Sequence, residues 1–175
     1  MKKIVLNEDN LKDEEVQKYE IKTRAVLVNN SEAIIVANYG GAILLPGGKI
    51  DDGEDEYTAL IRELKEETGM TYDINELKYL FQLEYYQKNY PTREGNMINR
   101  KIDTYFFTSE YKGFDANHMI LTSKEQKDKF KLTLTNLEYL KYKLIESSNN
   151  PRSPFFKNEM IEVIGELEKQ KIKVK

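Results

Sequence analysis

Apolar and polar positions alternate along the chain in blocks whose period changes from strand-like to helical and back. Three short runs rich in β-branched residues, at 24–28, 33–37 and 42–45, are separated by Asn29-Asn30-Ser31 and by Tyr39-Gly40-Gly41. Such runs, split by turn-forming residues, predict three strands with tight connections, each apolar enough to be covered on both faces. Pro46-Gly47-Gly48 stops the third strand, and residues 49–53 read as a loop. From Asp55 to Thr68 the period becomes helical. Tyr57, Leu60 and Leu64 recur at helical spacing with Ile61 beside them, and Gly69 stands where a helix C-terminal glycine belongs.

Residues 77–86 and 104–108 are aromatic and aliphatic and read as strands, while 88–100, carrying Pro91, Gly95 and several charges, reads as an exposed loop. After Gly113 the pattern weakens until Lys131-Leu132-Thr133-Leu134, a further strand. Thr135-Asn136-Leu137-Glu138 has the spacing of a capping box and leads into a stripe of Leu137, Leu140, Leu144 and Ile145, which ends at Ser147-Ser148-Asn149-Asn150-Pro151. Ser153-Pro154 predicts an N-cap followed by proline in the first turn of a last helix, with Met160, Ile161, Ile164 and Leu167 on one face. Strands alternating with helices and no internal repeat predict one α/β domain over 1–175, with a C-terminal helical extension at about 137–170 that packs back on the core or forms a dimer face.

Composition narrows the chemistry. The 175 residues are 39% hydrophobic and 33% charged, with mean hydropathy −0.68. No run approaches the roughly 18 apolar residues that span a bilayer, and Met1-Lys2-Lys3-Ile4-Val5-Leu6-Asn7-Glu8 meets acid before a signal-like apolar region forms. A cytoplasmic chain without a membrane partner is expected. Zero cysteines exclude disulfides, thiolate nucleophiles and sulfur-based zinc sites, and one histidine, His118, excludes multi-histidine metal centres. Lys and Arg total 27 against 30 Asp and Glu, a net charge of −3, so no global basic field recruits a nucleic-acid polymer. Any chemistry rests on carboxylates, lysines, arginines and hydroxyls, and acidic side chains serving a hard cation are the natural place to look.

One segment concentrates such carboxylates. At about 100° per residue, Glu63, Glu66 and Glu67 fall on one arc of the 55–68 helix, beside the stripe of Tyr57, Leu60 and Leu64. Like charges at these spacings destabilise a helix by a few tenths of a kcal/mol per pair, a repulsion that a divalent cation removes. Oxygen-only ligands suit Mg2+ or Mn2+, and the Gly47-Gly48 turn offers a backbone carbonyl that a ligand can approach closely. An ordinary solvated face balanced by Arg62 and Lys65 is the competing reading. The preceding strand, the glycine turn and the offset of Glu54 favour the metal.

Gly48, Glu54, Arg62, Glu63, Leu64, Glu66, Glu67, Gly69 and Met70 fill every specified position of the Nudix box, and the segment from Gly48 to Met70 resembles that motif closely. The resemblance implies a Nudix fold, a mixed β-sheet sandwiched between α-helices, from about Lys22 to the strand near Leu132. It implies hydrolysis of a nucleoside diphosphate linked to another group: a nucleoside triphosphate, a nucleotide sugar or a dinucleoside polyphosphate. It also implies that Glu63, Glu66 and Glu67 bind Mg2+ or Mn2+ with help from the Gly48 carbonyl, and that Arg62 pairs with Glu54 to brace the loop. The general base stays open between Glu63 and later acids such as Glu94, Glu110 and Glu125. Lys49 is a candidate phosphate contact, equally readable as an exposed turn lysine.

Arg93, Arg100 and Lys101 are placed to close a loop over an anionic substrate, although loop charges are usually merely solvated. Tyr85 and Tyr86 lie where a tyrosine marks dinucleoside polyphosphate hydrolases of the family, yet more simply form the inward and outward side chains of one strand. The proline that follows the box in ADP-ribose pyrophosphatases is missing, as is the cysteine of the isomerase branch. His118 reads as a surface or packing residue. A non-catalytic Nudix-like nucleotide-binding sensor is the rival function. It is disfavoured by the undegenerate box acids and by the lack of a basic recognition helix after Thr135. Many family members are dimers, so a homodimer is possible.

Overall fold

The computed structural model describes residues 1–29, 34–146 and 149–170. Ala33, most of the Asn29-Asn30-Ser31 turn and the Ser147-Ser148 helix end lie outside these. The described strands are β1 (Lys3–Leu6), β2 (Lys18–Val28), β3 (Ile34–Tyr39), β4 (Ala42–Leu44), β5 (Gly47–Lys49), β6 (Lys78–Pro91), β7 (Met97–Glu110) and β8 (Lys131–Thr135). The helices are α1 (Glu56–Thr68), α2 (Ser123–Lys127), α3 (Leu137–Ile145) and α4 (Ser153–Lys169).

The strands form one mixed sheet in the order β1-β6-β7-β2-β3-β4, with β5 also paired to β2 and β8 to β3. β2 runs parallel to β7 over its whole length, from Lys18 opposite Arg100 to Val28 opposite Glu110. Alternation along β2 then sorts side chains between two helical layers. Ala25 and Leu27 join Leu60 and Leu64 of α1 in one core cluster, whereas Val26 joins Leu140 and Leu144 of α3 and Met160, Val163, Ile164 and Leu167 of α4 in the other. The expected sheet between helices is therefore present, with α4 inside the core.

Several boundaries differ from the sequence reading, each for a non-local reason. β2 starts at Lys18 because β7 and β5 supply partners for a polar strand half. Gly47–Lys49, expected to end a strand and open a loop, is itself a strand paired to Lys22–Arg24. The expected loop at 88–100 is the end of a long β6–β7 hairpin, turned only at 92–96, with Tyr90 and Arg100 buried and a bulge between Gln87 and Tyr90. β1 adds an unforeseen parallel edge strand beside β6. At α3 the cap is Asn136, which accepts the Tyr139 N–H at 2.7 Å, because Thr135 is held in β8 opposite Ile34. At α4, Ser153 is already helical and Arg152 is the N-cap, after a turn in which the Asn150 side chain accepts the Arg152 N–H. The buried face of α4 carries Phe156, Glu159, Met160, Val163, Ile164, Glu166 and Leu167, while Ile161 points outward at 48% exposure. No helix of the described residues is long and apolar enough to cross a membrane.

Candidate active site

The site begins with how α1 is seated. The Asp55 side chain accepts the Thr58 N–H at 2.7 Å, and Gly69 ends the helix in the left-handed region at φ 73°. Leu60 and Leu64 are fully buried against the sheet, which turns the glutamate arc toward β5. Glu67 is 5% exposed, and its Oε2 accepts the Gly47 N–H at 2.8 Å. Gly47 has φ 128°, and a Cβ there would strike the Thr23 carbonyl and the Arg24 backbone. At Gly48 the space a side chain would need is filled by the carboxylate of Glu63. Both glycines are thus required by the close approach of β5 to β2 and α1.

Arg62 clamps the intervening loop. Its Nε and Nη2 fork onto the two Glu54 oxygens, each at 2.8 Å, Nη2 also donates to the Lys49 carbonyl at 3.1 Å, and Nη1 donates to Glu63 Oε1 at 2.8 Å. The guanidinium holds Glu54 down to about 2. Burial raises Glu63 against the opposing pull of Arg62. Burial pushes Glu67 well above the usual carboxylate range; the Gly47 N–H and Arg24 oppose this, and the charges of Glu63 and Glu125 add to it.

Among the described residues no three His, Cys, Asp or Glu side chains converge as a ready-made metal cage, and Glu63 is turned to Arg62. The donor set is nevertheless all oxygen. Glu63 and Glu67 repel one another in a partly dry setting, with Glu66 one turn away. A hard divalent cation fits that electrostatic deficit.

Beside the acids opens a cleft of about 720 Å³ lined by Gly48, Lys49, Arg62, Glu63, Glu66 and Glu67 on one side. Glu94, Arg93 and Glu125 are also in its lining, but Glu110, at the far end of β7, is not. Arg93 bridges Tyr39 Oη at 3.0 Å and Asp128 Oδ2 at 2.5 Å, spanning the β6–β7 turn and the end of α2. Arg100 lies buried on the cleft floor, while Lys101, one residue on, pairs with Asp13 at 3.3 Å and Glu84 at 3.5 Å away from the cleft. Tyr85 is buried with Asn158 donating to its hydroxyl at 3.2 Å, and Tyr86 points outward to Asp13. His118 is exposed and contacts Asp115 at 2.6 Å.

The floor was not foreseen from sequence. Arg24 pairs with Glu159 of α4 at 2.7 Å, both at about 5% side-chain exposure or less, and its Nη1 donates to the Leu45 carbonyl at 2.8 Å. Further along β2, Glu20 takes Lys18 at 3.2 Å, Arg100 at 3.2 Å and Lys22 at 3.8 Å. Arg100 is sandwiched between Gln87, 2.5 Å from its Nε, and the Tyr90 ring, 3.2 Å from its Cζ. Two signals were available: the alternation Lys18, Glu20, Lys22, Arg24 continues the strand period, and Glu159 falls between Phe156 and Met160 on the buried face of α4.

A family model, the NUDIX domain, matches residues 18–150. A stretch of 47 residues is 47% identical to Nudix hydrolase 25 of Arabidopsis thaliana, covering 25% of this chain and only 27% of that protein. Among solved structures, the NUDIX domain of Shewanella oneidensis NrtR, complexed with ADP ribose, superposes with a TM-score of 0.56 at 14% identity, over 92% of this chain and 94% of that one. The MutT protein of Methanosarcina mazei Go1 gives a TM-score of 0.53 at 20% identity, over 85% and 98% of the two chains. At such identities the structures speak for the fold alone. With the family model covering most of its length, the chain belongs to the NUDIX family.

Proposed function

We propose that this protein hydrolyses a diphosphate bond in a nucleoside diphosphate linked to another group, with Mg2+ or Mn2+ held by Glu63, Glu66, Glu67 and the Gly48 carbonyl. The observation that carries this reading is the seating of Glu67, buried and bonded to the Gly47 N–H at 2.8 Å, with Glu63 packed on Gly48 at the cleft wall. When bound, the cation neutralises the diphosphate and makes a bound water more acidic. The chain's own residues do the rest. Arg62 and Glu54 fix the loop so that the Gly48 carbonyl keeps its place beside α1, a bracing role rather than a chemical one. Lys49, at the rim of the same strand, faces the incoming phosphates. Glu63, Glu94 and Glu125 are the cleft carboxylates available to accept the proton of the attacking water. Because α4 fills the core behind β2, residues 1–175 are read as one working unit.

The test is a panel of nucleoside triphosphates, nucleotide sugars, ADP-ribose and dinucleoside polyphosphates with Mg2+, followed by phosphate release with coupling enzymes. Turnover of at least one compound, abolished by EDTA and by Glu67→Gln, is expected. Unchanged turnover in that variant overturns the metal assignment, and tight binding without any turnover favours the sensor reading.

A further inference from the structure

The cleft floor holds four cations that share two carboxylates as close ion-pair partners. Lys18, Lys22, Arg24 and Arg100 meet there, and the carboxylates in ion-pair contact with them are Glu20 and Glu159, with Glu67 acting on Arg24 and Glu94 on Lys18 from further away. Glu159 is taken up by Arg24. Glu20 is divided among the other three, and Lys22, at 3.8 Å, is held least well. The Lys22 side chain is 17% exposed and lines the cleft. Burying an ammonium with so little compensation is costly unless a ligand supplies the missing charge. The strand register fixes where that ligand lies. Lys22 pairs with Lys49 and Arg24 with Gly47, so Lys22 stands beside the box. Lys18 follows roughly 13 Å further along β2 at about 3.3 Å per residue.

We propose that Lys22, backed by Lys18 and Arg100, forms a second anion subsite that receives a phosphate of the substrate lying beyond the diphosphate that is cleaved. The assignment rests on the hydrolase reading for the word substrate, but not for the binding itself. A neutral sugar at this position would leave Lys22 with only its 3.8 Å partner Glu20, whereas a phosphate monoester or a longer phosphate chain would give it a close one. Substrates bearing such a group are therefore selected over those that end in hydroxyls.

The experiment is calorimetric titration in EDTA, which reads affinity without turnover, so a failure of the hydrolase reading remains separate. Two pairs differ by one phosphate: NADPH against NADH, and adenosine 5′-tetraphosphate against ATP. Wild-type protein is expected to prefer the richer member of at least one pair by about tenfold or more, as one charge-assisted contact warrants. In Lys22→Met the ratio collapses toward one, and Lys22→Arg restores it. Melting temperature checks that the Met variant folds. A ratio below about twofold in both wild-type pairs, or a ratio that survives Lys22→Met, overturns the proposal. Titration with inorganic phosphate is the untethered arm: tight binding lost in Lys22→Met, without discrimination in either pair, also overturns the substrate assignment, leaving a free-anion site.

Discussion

The two sides of the cleft are built at different ranges. The wall of β5 and α1 joins residues close in the chain: Glu54 to Arg62 over 8 positions and Gly47 to Glu67 over 20. The floor joins residues far apart, Glu20 to Arg100 over 80 positions and Arg24 to a helix near the other end. The wall gathers acids in mutual repulsion, and the floor gathers cations short of partners. A linear motif can record the first arrangement because one loop and one helix hold it. The second exists only once β2, β7 and α4 have met.

Substitutions separate the two sides, starting where the effect is largest. Glu67→Gln should lower kcat by on the order of 10³-fold or more, about 4 kcal/mol in the barrier, while leaving the melting temperature equal or higher, since it removes a buried charge. Steady-state rates with Mg2+ and a thermal melt read both.

On the floor the order of effects reverses, with stability first. Glu159→Leu leaves Arg24 buried and unpaired and should cost about 3–5 kcal/mol, whereas the Arg24→Met and Glu159→Leu double variant should recover most of it. Urea unfolding of the three proteins decides; a single variant as stable as wild type would remove Glu159 as the partner that holds the floor.

Gly48→Ala returns to the wall. A methyl driven into Glu63 should displace that carboxylate and cost about 1–3 kcal/mol of packing, with a drop in kcat and weaker Mn2+ binding by titration. The smallest effect concerns the floor and pH. Burial brings Lys22 down to about 8, below the ordinary lysine value of roughly 10.4. Between those values the unfolded chain holds a proton that the folded chain has shed, so this residue's contribution to stability rises with pH there. The stability difference between wild type and Lys22→Met, measured by urea unfolding at pH 7.5 and pH 10, should move in favour of wild type at the higher pH. No movement would show that the ammonium is better solvated than its place in the cleft implies.

How far the sequence could be read follows the same division. The α1 helix, its Asp55 and Gly69 ends and the contacts of Arg62 are local, and the pattern of residues at 48–70 carries them. The lower half of β2 was missed because Lys18, Glu20 and Lys22 look like solvent-facing residues; only pairing to Arg100 and Lys49 shows that they floor a cleft. The stretch 88–100 looked like a loop because Pro91, Gly95 and its charges are turn signals, yet Asn89 at φ 52° and the bulge absorb the irregularity and let the hairpin continue to Pro91. On α4, hydrophobicity puts Ile161 on the buried face with Met160, Ile164 and Leu167 and is silent on Glu159. The structure turns Ile161 outward and buries Glu159, because Arg24 stands opposite.

The Arg24–Glu159 pair also sets an order of events during synthesis. β2 leaves the ribosome long before α4, so a nascent chain can complete its whole motif and still carry the Arg24 guanidinium without its ion-pair partner Glu159. Contacts of such long range form late, and an unfinished layer exposes Val26, Phe81 and Phe106 to other chains. A product truncated ahead of Ser153 would keep every residue by which the family is recognised. It would nonetheless lack the apolar face of Met160, Val163, Ile164 and Leu167 that covers one side of the sheet.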